Sequence, residues 1–337
     1  MIIPIKTQTG QYNIYLERGA LKKVGEYFNL DRKVLVVTDD GVPPMYAKTV
    51  ADQCKDAVII TVSQGEKTKC IDSFVYLLEK MVENNFTRTD CVVAVGGGVI
   101  GDLSGFVASA FMRGVDFYNI PTTFLSQVDS SIGGKTAVDF MGLKNIVGSF
   151  YQPKGVLIDS DVLETLPKRQ LSNGLSEALK MSLIGDAELF EIFENENIDE
   201  HIDEIIERSL LIKKQVVEED EKESGKRKTL NFGHTLAHAV ESVNRLEEYY
   251  HGECVAIGMV PMCSESIRNR LIPVLKKLNL PYEPKGNADE LINACIHDKK
   301  MSGNDITVVY VNEVGTSELL KMPFAEFEKT VKRVLEK

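Results

Sequence analysis

The chain changes rhythm near its middle. In the first half, short β-branched apolar runs alternate with stretches of helical pattern: Val34 to Val37, Ala57 to Thr61, Cys91 to Val95, Phe117 to Ile120 and Val156 to Asp159. That alternation predicts a largely parallel sheet flanked by helices. Beyond about Ser172 long amphipathic helices take over, as where Ile202, Ile205, Ile206, Leu210, Val216 and Val217 recur near the helical period. Two domains are expected, 1–171 and 172–337, with one late strand from Thr307 to Val311 after the Ser302-Gly-Asn turn. The charged stretch from Glu191 to Lys228 reads as a solvated helix face.

Composition narrows the partners. A length of 337 residues, 43% of them hydrophobic, allows a sizeable core in each domain. The net charge of -11 argues against nucleic acid or an anionic membrane as partner, so any basic cluster needs a local reason. No apolar run is long enough to span a bilayer, and the start of the chain lacks the regions of a secretion signal, so a cytoplasmic protein is expected. Six scattered cysteines without a Cys-x-x-Cys pair suit buried thiols better than a disulfide framework.

Three clusters carry candidate chemistry. Cys91-Val-Val-Ala-Val runs straight into Gly96-Gly-Gly-Val-Ile-Gly-Asp102, where Gly96, Gly98 and Gly101 fit G-x-G-x-x-G at a strand-to-helix junction. Backbone amides there can approach a pyrophosphate, although glycine turns without ligands are common. Asp39-Asp40 closes the strand from Val34, placing a carboxylate where a ribose hydroxyl would need an acceptor. Pro121-Thr-Thr123 and Gln64-Gly-Glu-Lys-Thr-Lys69 close two further strands. The second cluster joins Arg113, Lys135 in Ser131-Ile-Gly-Gly-Lys, and Lys144-Asn145. It suits a small phosphate or carboxylate, or else consists of ordinary surface charges, and its spacing is not that of an ATP-binding Gly-Lys loop.

The third cluster lies in the helical half: Glu177-Ala-Leu-Lys180, Asn231-Phe-Gly-His234-Thr-Leu-Ala-His238 and His251-Gly-Glu. One carboxylate and two imidazoles with an open position form the ligand set of a catalytic metal site. His234 and His238 share a helix face. Both could be ligands, they could divide into ligand and acid/base, or they could be a satisfied histidine pair without metal. His201 and His297 lack such company and read as surface or packing residues.

In order and spacing these segments resemble the 3-dehydroquinate synthase family, within the wider sugar-phosphate cyclases. The resemblance rests on Gly96 to Asp102, Ile120-Pro-Thr-Thr123, Gln127-Val-Asp129-Ser-Ser-Ile-Gly-Gly-Lys135-Thr, Lys144-Asn145, Ser176-Glu177-Ala-Leu-Lys180, Asp220-Glu-Lys-Glu223-Ser-Gly225-Lys-Arg227, Asn231-Phe-Gly-His234-Thr and His251-Gly-Glu. It implies a Rossmann-like α/β domain that binds NAD, followed by an α-helical domain that binds metal and substrate. Implied metal ligands are Glu177, His234 and His251, for zinc first and cobalt second. Implied NAD contacts are Asp39, Glu66, Lys69, Gly98, Val99, Ile100, Gly101, Asp102, Thr122, Thr123, Lys135, Lys144, Leu163 and Thr165. Substrate and catalytic groups fall on Arg113, Asp129, Lys135, Asn145, Lys180, Lys213, Arg227, Asn231 and His238, with one of Lys299 and Lys300. Gly41, Ala137 and Asp139 depart from the family pattern, and the chain is short between Cys263 and Pro281.

The resemblance further implies a homodimer acting on 3-deoxy-D-arabino-heptulosonate 7-phosphate. NAD takes a hydride at C5, phosphate leaves, the hydride returns, and ring opening with aldol closure gives the carbocycle, His238 serving as proton shuttle. Rival readings are a metal-dependent polyol dehydrogenase of the glycerol type, another sugar-phosphate cyclase, and a catalytically silent binding protein.

Overall fold

Strands that are apolar on both faces must be covered on both faces, and the central runs of the first half obey this, while Ala57 to Thr61 forms a partly exposed edge strand. The computed structural model describes residues 1–243, 248–285, 288–296, 301–302 and 304–335. Its chain divides into two units, Met1–Leu166 and Pro167–Lys337. The division lies ahead of Leu171 because residues from Lys168 onward already form the first helix of the second unit.

The first unit contains β1 (Ile2–Lys6), β2 (Gln11–Leu16), α1 (Val24–Tyr27), β3 (Lys33–Asp39), α2 (Pro44–Ala51), β4 (Asp56–Val62), α3 (Ile71–Glu83), β5 (Cys91–Gly96), α4 (Gly98–Ala110), β6 (Asp116–Pro121), β7 (Lys135–Phe140), β8 (Leu143–Phe150) and β9 (Gly155–Ile158). The main sheet runs in the order β1-β2-β9-β6-β5-β3-β4. All neighbours are parallel except the β1–β2 hairpin. Alternation splits each central strand between two cores. Val34 and Val36 of β3 pack with Tyr46 and Val50 of α2, while Leu35 and Val37 pack with Leu77 of α3 and Leu103 of α4.

All five expected strands of this half are present. Two hairpins were not anticipated. In β1–β2, Ile3 and Ile5 are buried while Ile2, Pro4 and Lys6 face out, a period-two pattern on an edge strand where proline's missing N–H costs nothing. The β7–β8 hairpin carries Lys135, Lys144 and Asn145 and is largely exposed along β8. Its buried face is short, Thr136 and Val138 of β7 with partly buried Val147 of β8, which leaves a weak pattern in the sequence.

The second unit contains α5 (Lys168–Gly185), α6 (Ala187–Asn195), α7 (Ile202–Glu219), α8 (His234–Val243), α9 (His251–Met259), α10 (Glu265–Lys277), α11 (Ala288–Ile296), β10 (Met301–Ser302), β11 (Asp305–Tyr310), β12 (Glu318–Pro323) and α12 (Phe324–Leu335). The late strand expected from Thr307 is β11, at the centre of an antiparallel three-stranded sheet. One helix, α10, occupies the short stretch after Cys263. Among the described residues no helix is long and apolar enough to cross a membrane. The six cysteines are free thiols; Cys54 and Cys70 are only half-buried.

Helix α5 is buried on every side from Asn173 to Ile184, even though Ser176, Glu177, Lys180 and Ser182 lie in that stretch. Helix α9 docks on it at contact distance. The Gly252 amide donates to Asn173 Oδ1 at 2.6 Å, and a Cβ on Gly252 would stand 1.9 Å from Asn173 O. Arg169 fastens the same helix end by pairing with Glu253 at 2.7 Å and lying over the Tyr250 ring. Gly252→Ala should therefore force α9 away from α5 and cost about 3 kcal/mol of stability. A chemical denaturation midpoint equal to that of the unchanged protein would disprove the close approach.

Candidate active site

The first unit gathers its candidates by topology alone. From β3 the chain passes outward to β4 and then returns to the opposite side of β3 as β5, so the order reverses between β3 and β5. In a parallel sheet a crevice opens at such a switch point, beyond the carboxyl ends of the strands. Asp39 ends β3, and Gly96 ends β5 where the glycine turn enters α4. No side chain caps α4 and its first turn holds no acidic residue, which leaves the helix start suited to an anion. Thr122 and Thr123 follow β6, and Leu163 and Thr165 lie on the turn after β9, on this same edge of the sheet.

Lys69, nearly fully buried, reaches Asp102 Oδ2 at 3.0 Å and Glu66 Oε1 at 3.2 Å. Burial alone would lower its pKa, but the two carboxylates outweigh that and raise it above the ordinary lysine value. The Asp39 carboxyl is pushed up by burial, although the Gly41 amide donates to it at 2.9 Å. The Gly41 departure has a spatial counterpart: the Gln64 carboxamide fills the space a side chain would take there, with Cδ 2.3 Å from an added Cβ. Asp139 accepts from the Asn145 amide at 2.8 Å, shaping the turn that carries Asn145. Ala137 faces Gly148 across the hairpin, where the partner without a side chain makes room for the extra methyl.

Lys135 lines a small recess with Gly101, Asp102, Asn119 and Ser130. Asp129 lies on the preceding helical turn, and Lys144 and Asn145 are exposed on β8. Arg113 stands apart. It ends the turn Phe111–Arg113 beyond the far end of α4, about 20 Å of helix from the glycine turn at 1.5 Å per residue. The first unit therefore does not bring Arg113 to that turn.

The second unit brings three ligand-type groups to one point. Among the described residues, Glu177, His234 and His251 form a group whose ligand atoms all lie within 4.8 Å of one another. Glu177 Oε1 is 3.8 Å from His234 Nε2 and 3.6 Å from His251 Nε2. Each imidazole is held through its other nitrogen: His234 Nδ1 by the Phe232 carbonyl at 3.1 Å, His251 Nδ1 by Glu241 Oε1 at 2.8 Å. Both Nε2 atoms are thus directed at the carboxylate.

The electrostatics suit a cation. Glu177 is fully buried, and neither of its oxygens has a hydrogen-bond partner of good geometry, though Lys180 Nζ lies 2.5 Å away. Burial would raise the Glu177 carboxyl, but Lys180 and then the two histidines hold it well below the usual range. Burial, followed by Lys180, holds His234 well below the ordinary histidine value. Burial also opposes charge on His251, but the Glu177 and Glu241 carboxylates lift it to about 10. A cation entering here would exchange against a proton. A buried carboxylate short of donors, with two oriented imidazoles, fits a divalent metal.

Lys180 stands beside Glu177, while Lys213 and Arg227, also nearly fully buried, lie on elements that pack on α5. The solvated-face reading of Glu191 to Lys228 fails at these last two. On α7 the buried stripe runs Ile206, Ser209, Leu210, Lys213, Val216, Val217, so the lysine occupies a core position. Helical spacing alone could have revealed it. Asn231 donates to Glu223 Oε1 at 2.6 Å, and Asp220 accepts from the amides of Ser224, Gly225 and Arg227, tying the loop that positions Arg227. His238 stands one turn beyond His234, ring centroids 5.8 Å apart, and is exposed. Glu241 was not picked out from the sequence, although it lies seven positions after His234 on the buried stripe of α8. His201 pairs at the surface with Glu204. Lys299, Lys300 and His297 lie outside the described residues.

Known structures of the same shape define the class. The chain resembles a 2-deoxy-scyllo-inosose synthase complexed with carbaglucose-6-phosphate, NAD+ and Co2+, with TM-score 0.89 and 24% identity over 99% of this chain and 100% of that one. It also resembles a 2-epi-5-epi-valiolone synthase from Streptomyces hygroscopicus subsp. jinggangensis with NAD+ and Zn2+ bound, TM-score 0.86, 26% identical, covering 96% and 97%. These likenesses define the class: the chain has the sugar-phosphate cyclase fold. Within that class, family models described as 3-dehydroquinate synthase N-terminal and C-terminal match residues 59–173 and 174–301. A 3-dehydroquinate synthase of Streptococcus thermophilus is 41% identical, covering 99% of this chain and 100% of that one. The chain belongs to the 3-dehydroquinate synthase family.

Proposed function

We propose that the protein converts 3-deoxy-D-arabino-heptulosonate 7-phosphate into 3-dehydroquinate and phosphate, with NAD and a divalent metal, zinc or cobalt, as cofactors. Family membership over nearly the whole chain gives the activity. The observation that carries the chemistry is the convergence of Glu177, His234 and His251. When bound, NAD supplies reversible hydride transfer, and the metal polarises substrate oxygens.

The chain's own residues do the rest. Asp39 accepts from a ribose hydroxyl, and the amides at the start of α4 receive the pyrophosphate. Lys69 holds Glu66 and Asp102 in place beside the glycine turn. Thr122, Thr123, Leu163 and Thr165 complete that edge, and Lys135 and Lys144 are assigned to both nucleotide and substrate phosphate. Lys180, Lys213 and Arg227 offer charge-assisted hydrogen bonds to the substrate carboxylate and hydroxyls, with Asn231, Asn145 and Asp129 fixing its orientation. Arg113 and one of Lys299 and Lys300 are assigned to anion stabilisation by resemblance alone. His238 passes the proton needed for ring opening and closure. A homodimer located in the cytoplasm completes the reading.

A polyol dehydrogenase of the same general fold would act on an uncharged substrate. That chemistry gives no use to the buried Lys180 beside Glu177, nor to the buried Lys213 and Arg227 on elements packed against α5. The test combines heptulosonate phosphate, NAD and zinc with the protein, following inorganic phosphate and the NADH absorbance band together. Phosphate release without net NADH is expected. A chelator should stop turnover, and zinc or cobalt should restore it. NADH accumulating without phosphate would establish the dehydrogenase instead.

A further inference from the structure

We infer that Glu241 is a positioning residue of the metal centre, acting through His251. The inference rests on the metal reading above and adds to it the group that fixes one ligand. Glu241 lies on α8 seven residues after His234, two turns along the same helix face. Its residue is only 6% exposed, and its Oε1 lies 2.8 Å from His251 Nδ1. A buried carboxylate is unfavourable unless hydrogen-bonded, and the acceptor here faces a ring nitrogen.

The consequence for His251 follows from its two nitrogens. With a carboxylate at Nδ1, a proton is held there and Nε2, directed at Glu177 Oε1 3.6 Å away, is the nitrogen left to take a metal. His234 is oriented the same way by a neutral acceptor, the Phe232 carbonyl. His251 needs the stronger hold because its side chain is 36% exposed, against 11% for His234, so packing restrains its ring less. The charged acceptor also makes Nε2 the more basic donor of the two imidazoles.

The experiment titrates metal-free protein with Co2+ against a chromophoric chelator and records the visible cobalt bands and the melting temperature of the metal-free form. Glu241→Gln, nearly isosteric, should weaken cobalt binding tenfold to a hundredfold, the usual scale for losing such an outer partner, and alter the bands, while the metal-free melting temperature stays within a few degrees. In a His251→Ala background the same substitution should change affinity less than threefold, since its effect passes through that ring. Unchanged affinity in Glu241→Gln would refute the positioning role while leaving the metal reading intact. A tenfold loss that persists in the His251→Ala background would also refute it, by showing that Glu241 acts through general stability. Failure of the unchanged protein to bind cobalt would instead overturn the metal reading, and this inference with it.

Discussion

Replacing His234 with alanine should remove the metal and stop turnover together. Zinc sites with about four protein ligands draw roughly 10–16 kcal/mol from binding, so each ligand contributes about 3 kcal/mol. At ~1.4 kcal/mol per tenfold, affinity should fall more than a hundredfold, and here only two protein ligands would remain. Those remaining, Glu177 and His251, lie 3.6 Å apart and can still attract a cation weakly. The fold should largely survive because α8 is buried by Leu236, Ala237 and Val240, which the substitution leaves in place. Metal content after dialysis and phosphate release are the measurements. His201→Ala, at a half-buried histidine paired with Glu204 away from this group, should change neither and serves as the control. Full turnover by metal-free His234→Ala would contradict the assignment.

Why the sequence disclosed this group, yet missed others, comes down to what periodicity reports. Buried parallel strands such as β3 and β5 must be apolar throughout, so they stand out without any partner being known. The glycine turn and the histidine segments are chemically rare combinations, and residue type alone brings them forward. Their convergence is another matter. Glu177 and His251 come together because Gly252 lets α9 approach the backbone of α5, a fact of packing between elements remote in sequence. Lys213 is reached through the family resemblance although the charge run around it reads as solvated, and Glu241, legible in principle as a charge on a buried helical stripe, is not singled out. The β7–β8 hairpin left little trace because only Thr136 and Val138 of β7 are buried while β8 is largely exposed, too short an apolar pattern to mark a strand pair.

His238→Ala should have the opposite signature to His234→Ala, retaining metal while slowing the reaction about a hundredfold or more, the scale of a lost general acid or base. The two side chains share a helix face, so spacing alone could not separate them. Their surroundings do. His234 belongs to the group whose ligand atoms lie within 4.8 Å of one another, and its second nitrogen is tied to a backbone carbonyl. His238 is not in that group, and its ring meets His234 edge-on with centroids 5.8 Å apart. It is exposed, whereas Ala237, Ala239 and Val240 around it are buried. An exposed imidazole next to a ligand can exchange protons with substrate and water, which a bound ligand cannot do through its coordinating nitrogen. Removing it should shift stability by no more than about 0.5 kcal/mol, as for other exposed positions. Metal content, melting temperature and kcat for phosphate release separate the possibilities. Wild-type kcat would eliminate the proton role, and loss of metal from His238→Ala would make it a ligand instead.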